Sequence, residues 1–313
     1  MKDYIPDKIR NVAFVGHGSS GKTSLAAALL FDYGATSRLT KVEKGNTVTD
    51  YEPEEIDRKI SINSAVCFFE ANSCKVNCVD TPGYSNFLWD TKAALRAVDG
   101  AAVFVDAVAG VEVGTEKVWE MLEEVHHPRL FIINKLDREN ASFKRAFESL
   151  REFFGRQVVP LHLPLGEEKD FRGVVDLVRM KAYVFERDES GKFKEEDVPA
   201  AVKGDAAKKR EELVEMIAEN DEKLMEKYLE KGELTPEEIQ AGLKKAVRGL
   251  QLFPVLVCSA LTNIGAQTAA EAMINLLPSP LDRGEVKAKI KGTEGTIKPS
   301  TEESFSALVF KTI

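Results

Sequence analysis

Three short runs hold residues whose types and spacing could do chemistry. GHGSSGKT at 16–23 fits the spacing G-x-x-x-x-G-K-[ST]. Gly18 and Gly21 let the backbone turn successive N–H groups inward, and a helix starting after them would aim the positive end of its dipole at the same point. The result is a cradle for phosphate made by Gly18, Ser19, Ser20 and Gly21, with Lys22, Thr23 and Ser24 at the helix start. Lys22 can reach the β and γ phosphates of a nucleotide, and Thr23 can offer its hydroxyl to Mg²⁺. Read alone, the same run could be a Gly/Ser surface turn.

The second run, DTPGYSNF at 80–87, follows the apolar KVNCV. A carboxylate at the C-terminal edge of a strand, facing the phosphate loop, can hold Mg²⁺, usually through water because that ion dehydrates reluctantly. Asp80 is so placed, and Gly83 has no side chain to keep its N–H from a γ-phosphate. By itself the run is a D-x-P-G turn. The third run, NKLD at 134–137, works with CSAL at 258–261. Asp137 can accept two N–H bonds from the Watson–Crick edge of guanine, whereas adenine presents one donor and one acceptor. At ~1.5–3 kcal/mol per bond to a charged group, guanine is favoured by roughly 3–6 kcal/mol, about 10²–10⁴-fold. Asn134 would brace the loop and the Lys135 stem would cover the base. The backbone of Ser259 and Ala260, with Leu261 following, would meet guanine O6. An NKxD in a loop is common; one that follows a phosphate loop and a DxxG in that order is specific.

These residues need elements to hold them. NVAFVG, GAAVFVDAV, PRLFIINKLD and LFPVLVCSA read as strands, and SAVCFFEAN with KVNCVDT as a hairpin split at Asn72-Ser73. Helical spacing separates them in LAAALLFDYG, TEKVWEMLEEV, FKRAFESLREFF and GAQTAAEAMINLL. Strands alternating with helices imply a mostly parallel sheet covered on both faces. From 156 to 250 the character changes: more strands, then a stretch where nearly half the residues are charged, read as solvated amphipathic helices. Beyond LPSPLDRG the pattern is extended, and Phe305, Ala307 and Val309 alternate as in a strand. A bare apolar edge of that kind is unusual, which points to the amino-terminal piece of a longer protein.

At 313 residues the length implies about two domains, and a chain 43% hydrophobic and 30% charged has ample material for a core. The formal net charge of -8 and a pI of ≈ 5.3 exclude a protein that grips nucleic acid by general phosphate neutralisation. The start, MKDYIPDKIR, lacks the apolar stretch of a secretory signal, and no run approaches the ~18 apolar residues of a membrane span. Cys67, Cys74, Cys78 and Cys258 match neither a zinc site nor a redox pair and read as reduced, packed thiols.

Together the motifs resemble the translational GTPases, specifically elongation factor G and its elongation factor G-like paralogues, along nearly the whole chain. KVEKGNTVTDYEPEEIDRKISI, GVEVGTEKVWE, FIINKLDRENASF, FRGVVDLVRMKAYVF and CSALTNIG also stand where that family's segments would. The resemblance implies an α/β fold in which a P-loop GTPase domain with a mixed, mostly parallel sheet occupies 1–155 and 251–280. An inserted α+β subdomain of the G′ type occupies 156–250, and 281–313 is a linker with the first strand of a truncated β-barrel domain. The implied activity is Mg²⁺-dependent GTP hydrolysis, with GTP/GDP and Mg²⁺ as cofactors, in a nucleotide-controlled switch acting on the ribosome in translation. Implied partners are ribosomal RNA and the stalk protein, the latter met by the insert. A cytoplasmic monomer, with no membrane or DNA partner, completes the expectation.

Residue by residue, segment 38–62 resembles switch I, and the family's Mg²⁺-contacting threonine corresponds to Ser61. Serine keeps the oxygen, so Thr23, Ser61 and Asp80 form the expected metal set. Gly18 stands where the family has an apolar residue beside the attacking water, and Ser19 replaces an aspartate. Tyr84 takes the place of the histidine that positions that water. A phenol can orient water but does not become cationic near neutral pH, and losing such a group commonly lowers the rate by ~10²–10³. Tyr84, Lys22 and Gly83 are the expected catalytic residues, and slow hydrolysis is expected of this fragment. The alternative is a GTP-gated ribosome-binding module with negligible hydrolysis. His126-His127 reads as a helix-capping pair, Trp89 and Trp119 as core or switch packing, and Asp99 and Asp106 as turn residues.

Overall fold

The computed structural model describes residues 3–290 and 293–312. Its first half alternates strand and helix: β1 (Ile9–Gly16), α1 (Lys22–Asp32), α2 (Pro53–Arg58), β2 (Ala65–Ala71), β3 (Cys74–Asp80), α3 (Leu88–Leu95), β4 (Gly100–Asp106), α4 (Val113–Val125), β5 (Arg129–Asn134) and α5 (Phe143–Phe154). There follow β6 (Val158–Pro160), β7 (His162–Leu165), β8 (Gly173–Asp176), β9 (Lys181–Phe185) and β10 (Phe193–Asp197). Three helices, α6 (Ala200–Ala218), α7 (Glu222–Lys231) and α8 (Pro236–Arg248), lead to β11 (Phe253–Val257), α9 (Ala266–Leu276), α10 (Pro280–Arg283), β12 (Val286–Ile290) and β13 (Thr293–Ile297).

Seven strands form the main sheet in the order β2-β3-β1-β4-β5-β11-β6. Every pairing is parallel except β2 with β3, the hairpin whose turn residues Asn72 and Ser73 both have positive φ, at 48° and 58°. That pair of left-handed residues gives the turn whose twist suits a hairpin, and asparagine tolerates it well. Alternate residues of β1 enter different cores: Val12 and Phe14 pack with α1 and α9, while Ala13 and Val15 pack with α3, α4 and α5. The register sets Phe14 beside Asp80, Gly16 beside Phe104, Asp106 beside Asn134 and Ile133 beside Val257. The carboxyl ends of β1, β3, β4, β5 and β11 therefore share one edge, where open α/β sheets bind ligands.

Between β6 and β11 the chain builds a four-stranded antiparallel sheet, β10-β9-β8-β7, and the three helices α6 to α8. The run VVPLHLPL, one apolar stretch in the sequence, breaks at Leu161. β6 pairs in parallel with β11 as the edge of the main sheet, and β7 starts the insert's own sheet. Residues 158–160 thus lie in the main sheet, not in an insert opening at 156.

The strand expected in SFSALVFKTI is absent among the described residues: 304–312 pair with no strand, and Phe305 is 95% exposed. Alternation is necessary for a half-buried strand, but the ladder needs a neighbour's N–H and C=O groups. Here β12 and β13 pair with each other instead. All four cysteines are buried and free. Trp119 is core, stacked on Phe131 and Phe154 with the Arg129 guanidinium 3.8 Å from its ring centre. Trp89 is 81% exposed, so it is neither core nor switch packing.

Candidate nucleotide-binding site

β1 ends at Gly16, where φ is 143° and a Cβ would sit 2.5 Å from Phe104 O, so only glycine lets β4 lie this close. The chain then loops over the sheet edge and enters α1 through Gly21, with φ 95° and no side-chain cap. The first N–H groups of α1 are left to a ligand. A Cβ on Gly21 would overlap Asn134 Nδ2 at 2.0 Å. That amide donates to Ser20 O at 2.9 Å, while its Oδ1 accepts from Ala260 N at 2.9 Å and Cys258 Sγ at 3.3 Å. One side chain thus ties the phosphate loop, the NKLD turn and the CSAL loop together.

Lys22 is buried, and its Nζ donates to Gly16 O at 3.2 Å and His17 O at 2.9 Å. Burial lowers its pKa to about 8; the charges of Asp80 and Asp50 oppose this, and that of Lys135 adds to it. Asp80, 1% exposed, has no hydrogen-bond partner on either carboxylate oxygen among the described residues. Burial raises its pKa to about 6. The hydroxyls of Thr23 and Thr49 and the Lys22 ammonium pull it back, while Asp50 pushes it further up. Thr23 Oγ1 and Ser61 Oγ lie 3.1 Å apart, and Ser61 Oγ donates to Asp50 Oδ1 at 2.7 Å. A buried, unpartnered carboxylate beside two hydroxyls and a second carboxylate is a donor set that fits a hard divalent cation.

Asp50 is an addition to the sequence reading, which had no reason to separate it from the other acids of segment 38–62. Glu55 is another: buried, it accepts from Ile62 N and Asn63 N, both at 2.9 Å, and so fixes the turn that presents Ser61. Gly83 lies against the phosphate loop so closely that a Cβ would meet Lys22 Nζ at 2.5 Å and Gly18 N at 2.6 Å. Next to it the Tyr84 ring covers Gly18, and its hydroxyl lies 3.1 Å from Ser19 Oγ. Tyr84 therefore packs on the phosphate loop. Ser19, Lys22, Asp50, Ser61 and Tyr84, with Ser24 on α1, line a cleft of about 240 Å³.

At the far end Asp137 is half-buried and its Oδ1 has no partner among the described residues. Lys135 takes φ 67° and its Nζ donates to Asp106 Oδ2 at 2.7 Å. Asp106 is thus the anchor of Lys135, not a plain turn residue. Burial opposes its ionisation, but Lys135, the Val108 N–H and Arg138 together outweigh that and lower its pKa. Ser259 is buried, its N and O both bonded to Ile264, while Leu261 is exposed. Asn263 Nδ2 donates to Asp32 Oδ1 at 2.6 Å and to Glu189 O at 3.3 Å, linking the base loop to α1 and to the β9–β10 hairpin. His17, inside the phosphate-loop motif, accepts from Gly114 N at 3.2 Å through Nδ1 and so docks the start of α4. His126 is the left-handed C-cap of α4, and the His127 ring bonds Leu95 O at 2.6 Å.

A family model described as the elongation factor Tu GTP binding domain matches residues 7–279. The chain belongs to that family. Elongation factor G of Thermotoga sp. (strain RQ2) is 40% identical over 310 residues, covering 97% of this chain and 44% of that protein. Elongation factor G of Thermotoga maritima is 39% identical over the same shares. A Thermus thermophilus protein of known crystal structure superposes with a TM-score of 0.84 at 38% identity, over 90% of this chain and 43% of that one. The chain spans less than half the length of the curated relatives it matches. For an elongation factor Tu-type GTP-binding domain the ligand is a guanine nucleotide, and the cleft lined by Lys22 at one end reaches Lys135 and Arg138, on either side of Asp137 in the sequence, at the other. No described helix is long and apolar enough to cross a membrane.

Proposed function

We propose that this chain is the GTP-hydrolysing switch of an elongation factor G-type protein that acts on the ribosome in translation. The observation that carries the reading is Asn134, whose side chain joins the three motif loops into one cleft. In that cleft the N–H groups from Gly18 to Ser24 and the Lys22 ammonium neutralise the triphosphate. Gly83 N–H closes on the γ-phosphate, and Tyr84 orients the water that attacks in line. Asp137 selects guanine, Lys135 covers the base, and Leu261 N–H is the CSAL donor left to meet O6, because Ser259 N and Ala260 N already donate to Ile264 O and Asn134 Oδ1. Thr23, Ser61 and Asp80, with Asp50 behind them, would hold Mg²⁺, which when bound would supply positive charge against the triphosphate.

The partners follow from the same reading: ribosomal RNA, met by a local surface because the chain is acidic overall, and the stalk protein at the insert. The insert is drawn here from residue 161 to 252. We place the protein in the cytoplasm as a monomer. A second reading, a GTP-gated ribosome-binding module with negligible hydrolysis, draws on Tyr84 in place of a histidine and on Ser19 and Gly18 beside it. Calorimetry with Mg²⁺ tests the ligand: GTP should bind and ATP should bind at least about tenfold more weakly, and equal binding would exclude the proposal. Single-turnover hydrolysis by the full-length protein separates the two readings. Ribosomes should accelerate phosphate release in the first and leave it negligible in the second.

A further inference from the structure

Gly18 does not owe its identity to the backbone, because its φ lies outside the left-handed region that favours glycine. A side chain there would have to displace Tyr84. A Cβ on Gly18 would meet the distal end of the ring, Cζ at 2.9 Å and both Cε atoms at 3.0 Å. The neighbouring Ser19, held at φ 62°, turns its hydroxyl to 3.1 Å from the Tyr84 hydroxyl. Gly83, pressed onto the phosphate loop, fixes the backbone that carries the ring. We infer that Gly18, Ser19 and Tyr84 are one positioning unit: residue 18 gives up its side chain so that the phenol can lie over the loop, and Ser19 holds the phenol hydroxyl at the mouth of the cleft. Gly18 and Ser19 are positioning residues acting through Tyr84, and their substrate is the same GTP as in the reading above, on which this inference rests. The phenol oxygen can donate one hydrogen bond and accept others, so the bond to Ser19 leaves capacity for a water beside the γ-phosphate.

The geometry makes a test that simple destabilisation would not pass. An imidazole is shorter than a phenol and has no atom where Cζ lies, so a side chain at 18 should conflict with tyrosine at 84 and not with histidine. Single-turnover GTP hydrolysis by the whole chain is measured at saturating enzyme, so that altered affinity does not enter. Gly18→Ala should slow it about tenfold with Tyr84 present, and by less than about twofold in a Tyr84→His background, one hydrogen bond's alignment being worth about that much. Ser19→Ala and Tyr84→Phe should each slow it about five- to tenfold, and the double variant no further. Multiplicative losses in the double variant, or equal effects of Gly18→Ala in both backgrounds, would overturn the inference. So would a wild-type chain that binds GTP and hydrolyses none, which leaves the nucleotide-binding reading standing. A chain that binds no GTP in calorimetry removes both.

Discussion

At the base end of the cleft, Asn134 uses both its donor and its acceptor on the chain itself, and Lys135 is held by Asp106. At the phosphate end neither Asp80 oxygen has a hydrogen-bond partner among the described residues, and Lys22 leans on two backbone carbonyls. Apart from Asp137 Oδ1, the base end is braced within the chain among the described residues; the phosphate end holds a carboxylate with no such bracing. The difference follows from the work each end must do. Choosing a base needs fixed donors and acceptors, and every bond within the chain reduces what must be ordered on binding. Handling a triphosphate needs uncompensated charge, which a protein interior tolerates only at a cost visible in the displaced pKa values of Lys22 and Asp80. Substitutions at the base end should therefore change which nucleotide binds, and those at the phosphate end should change affinity, metal dependence and rate.

The largest effect is expected from Lys22→Ala. Two charge-assisted contacts at ~1.5–3 kcal/mol each imply a loss of about 10²–10⁴ in GTP affinity, with guanine preference kept. Calorimetry with GTP and ATP reads both, and a lost preference would break the division of labour. Asp137→Asn comes next, with the opposite signature. GTP should weaken at least about tenfold and xanthosine triphosphate should improve, because the amide keeps one acceptor but turns a donor toward the guanine amino group, a donor that the xanthine carbonyl can accept. Unchanged GTP affinity in that variant would remove Asp137 from the pocket.

Asp80 gives a test of intermediate size in the absence of nucleotide and Mg²⁺. Its pKa in the folded chain is about 6, above the ordinary 3.8, so folding favours the protonated acid. That contribution is fully present below the ordinary value and is lost as pH rises through about 6. About two units correspond to roughly 3 kcal/mol as an upper figure. Asp80→Asn, which cannot ionise, should therefore be more stable than wild type to urea at about pH 7.5 by about 1–3 kcal/mol, with the gap closing towards about pH 4. Mg²⁺ should stabilise wild type and not the variant. A gap independent of pH would mean that Asp80 already has its partner.

The motifs were legible because each is a contiguous run whose chemistry depends on local spacing, and Asn134's bracing role could be read from the same pattern. Asp50, Glu55, His17 and Asn263 were not, because their parts come from contacts across the chain; Asn263 meets Asp32 from 231 residues away. Sequence alternation also could not tell that 304–312 pairs with no strand among the described residues, or that the apolar run around Leu161 is divided between two sheets. Trp89 carries a core residue's composition at an exposed site. What sequence misses here is mostly the partner, and in 304–312 the lack of one among the described residues takes the expected element with it.

The smallest effect sharpens the comparison most, because it asks how firmly the base end is braced. Lys135 and Asp106 are 17% and 11% exposed and 2.7 Å apart. Asp106→Asn keeps the shape and the Val108 contact but removes the charge that holds the lysine stem in place. The pair is mostly buried, but the substituted amide can still accept from Lys135, so only the charge-assisted part of that bond, about 1 kcal/mol, is lost and GTP should weaken only two- to fivefold, roughly. Because the bracing is internal, the loss should appear equally with GTP and GDP and should not depend on Mg²⁺. Stopped-flow release of a fluorescent guanine nucleotide should show it as faster dissociation with the association rate unchanged. A loss confined to GTP would mean that Asp106 senses the γ-phosphate, and the two ends of the cleft could no longer be treated as separate.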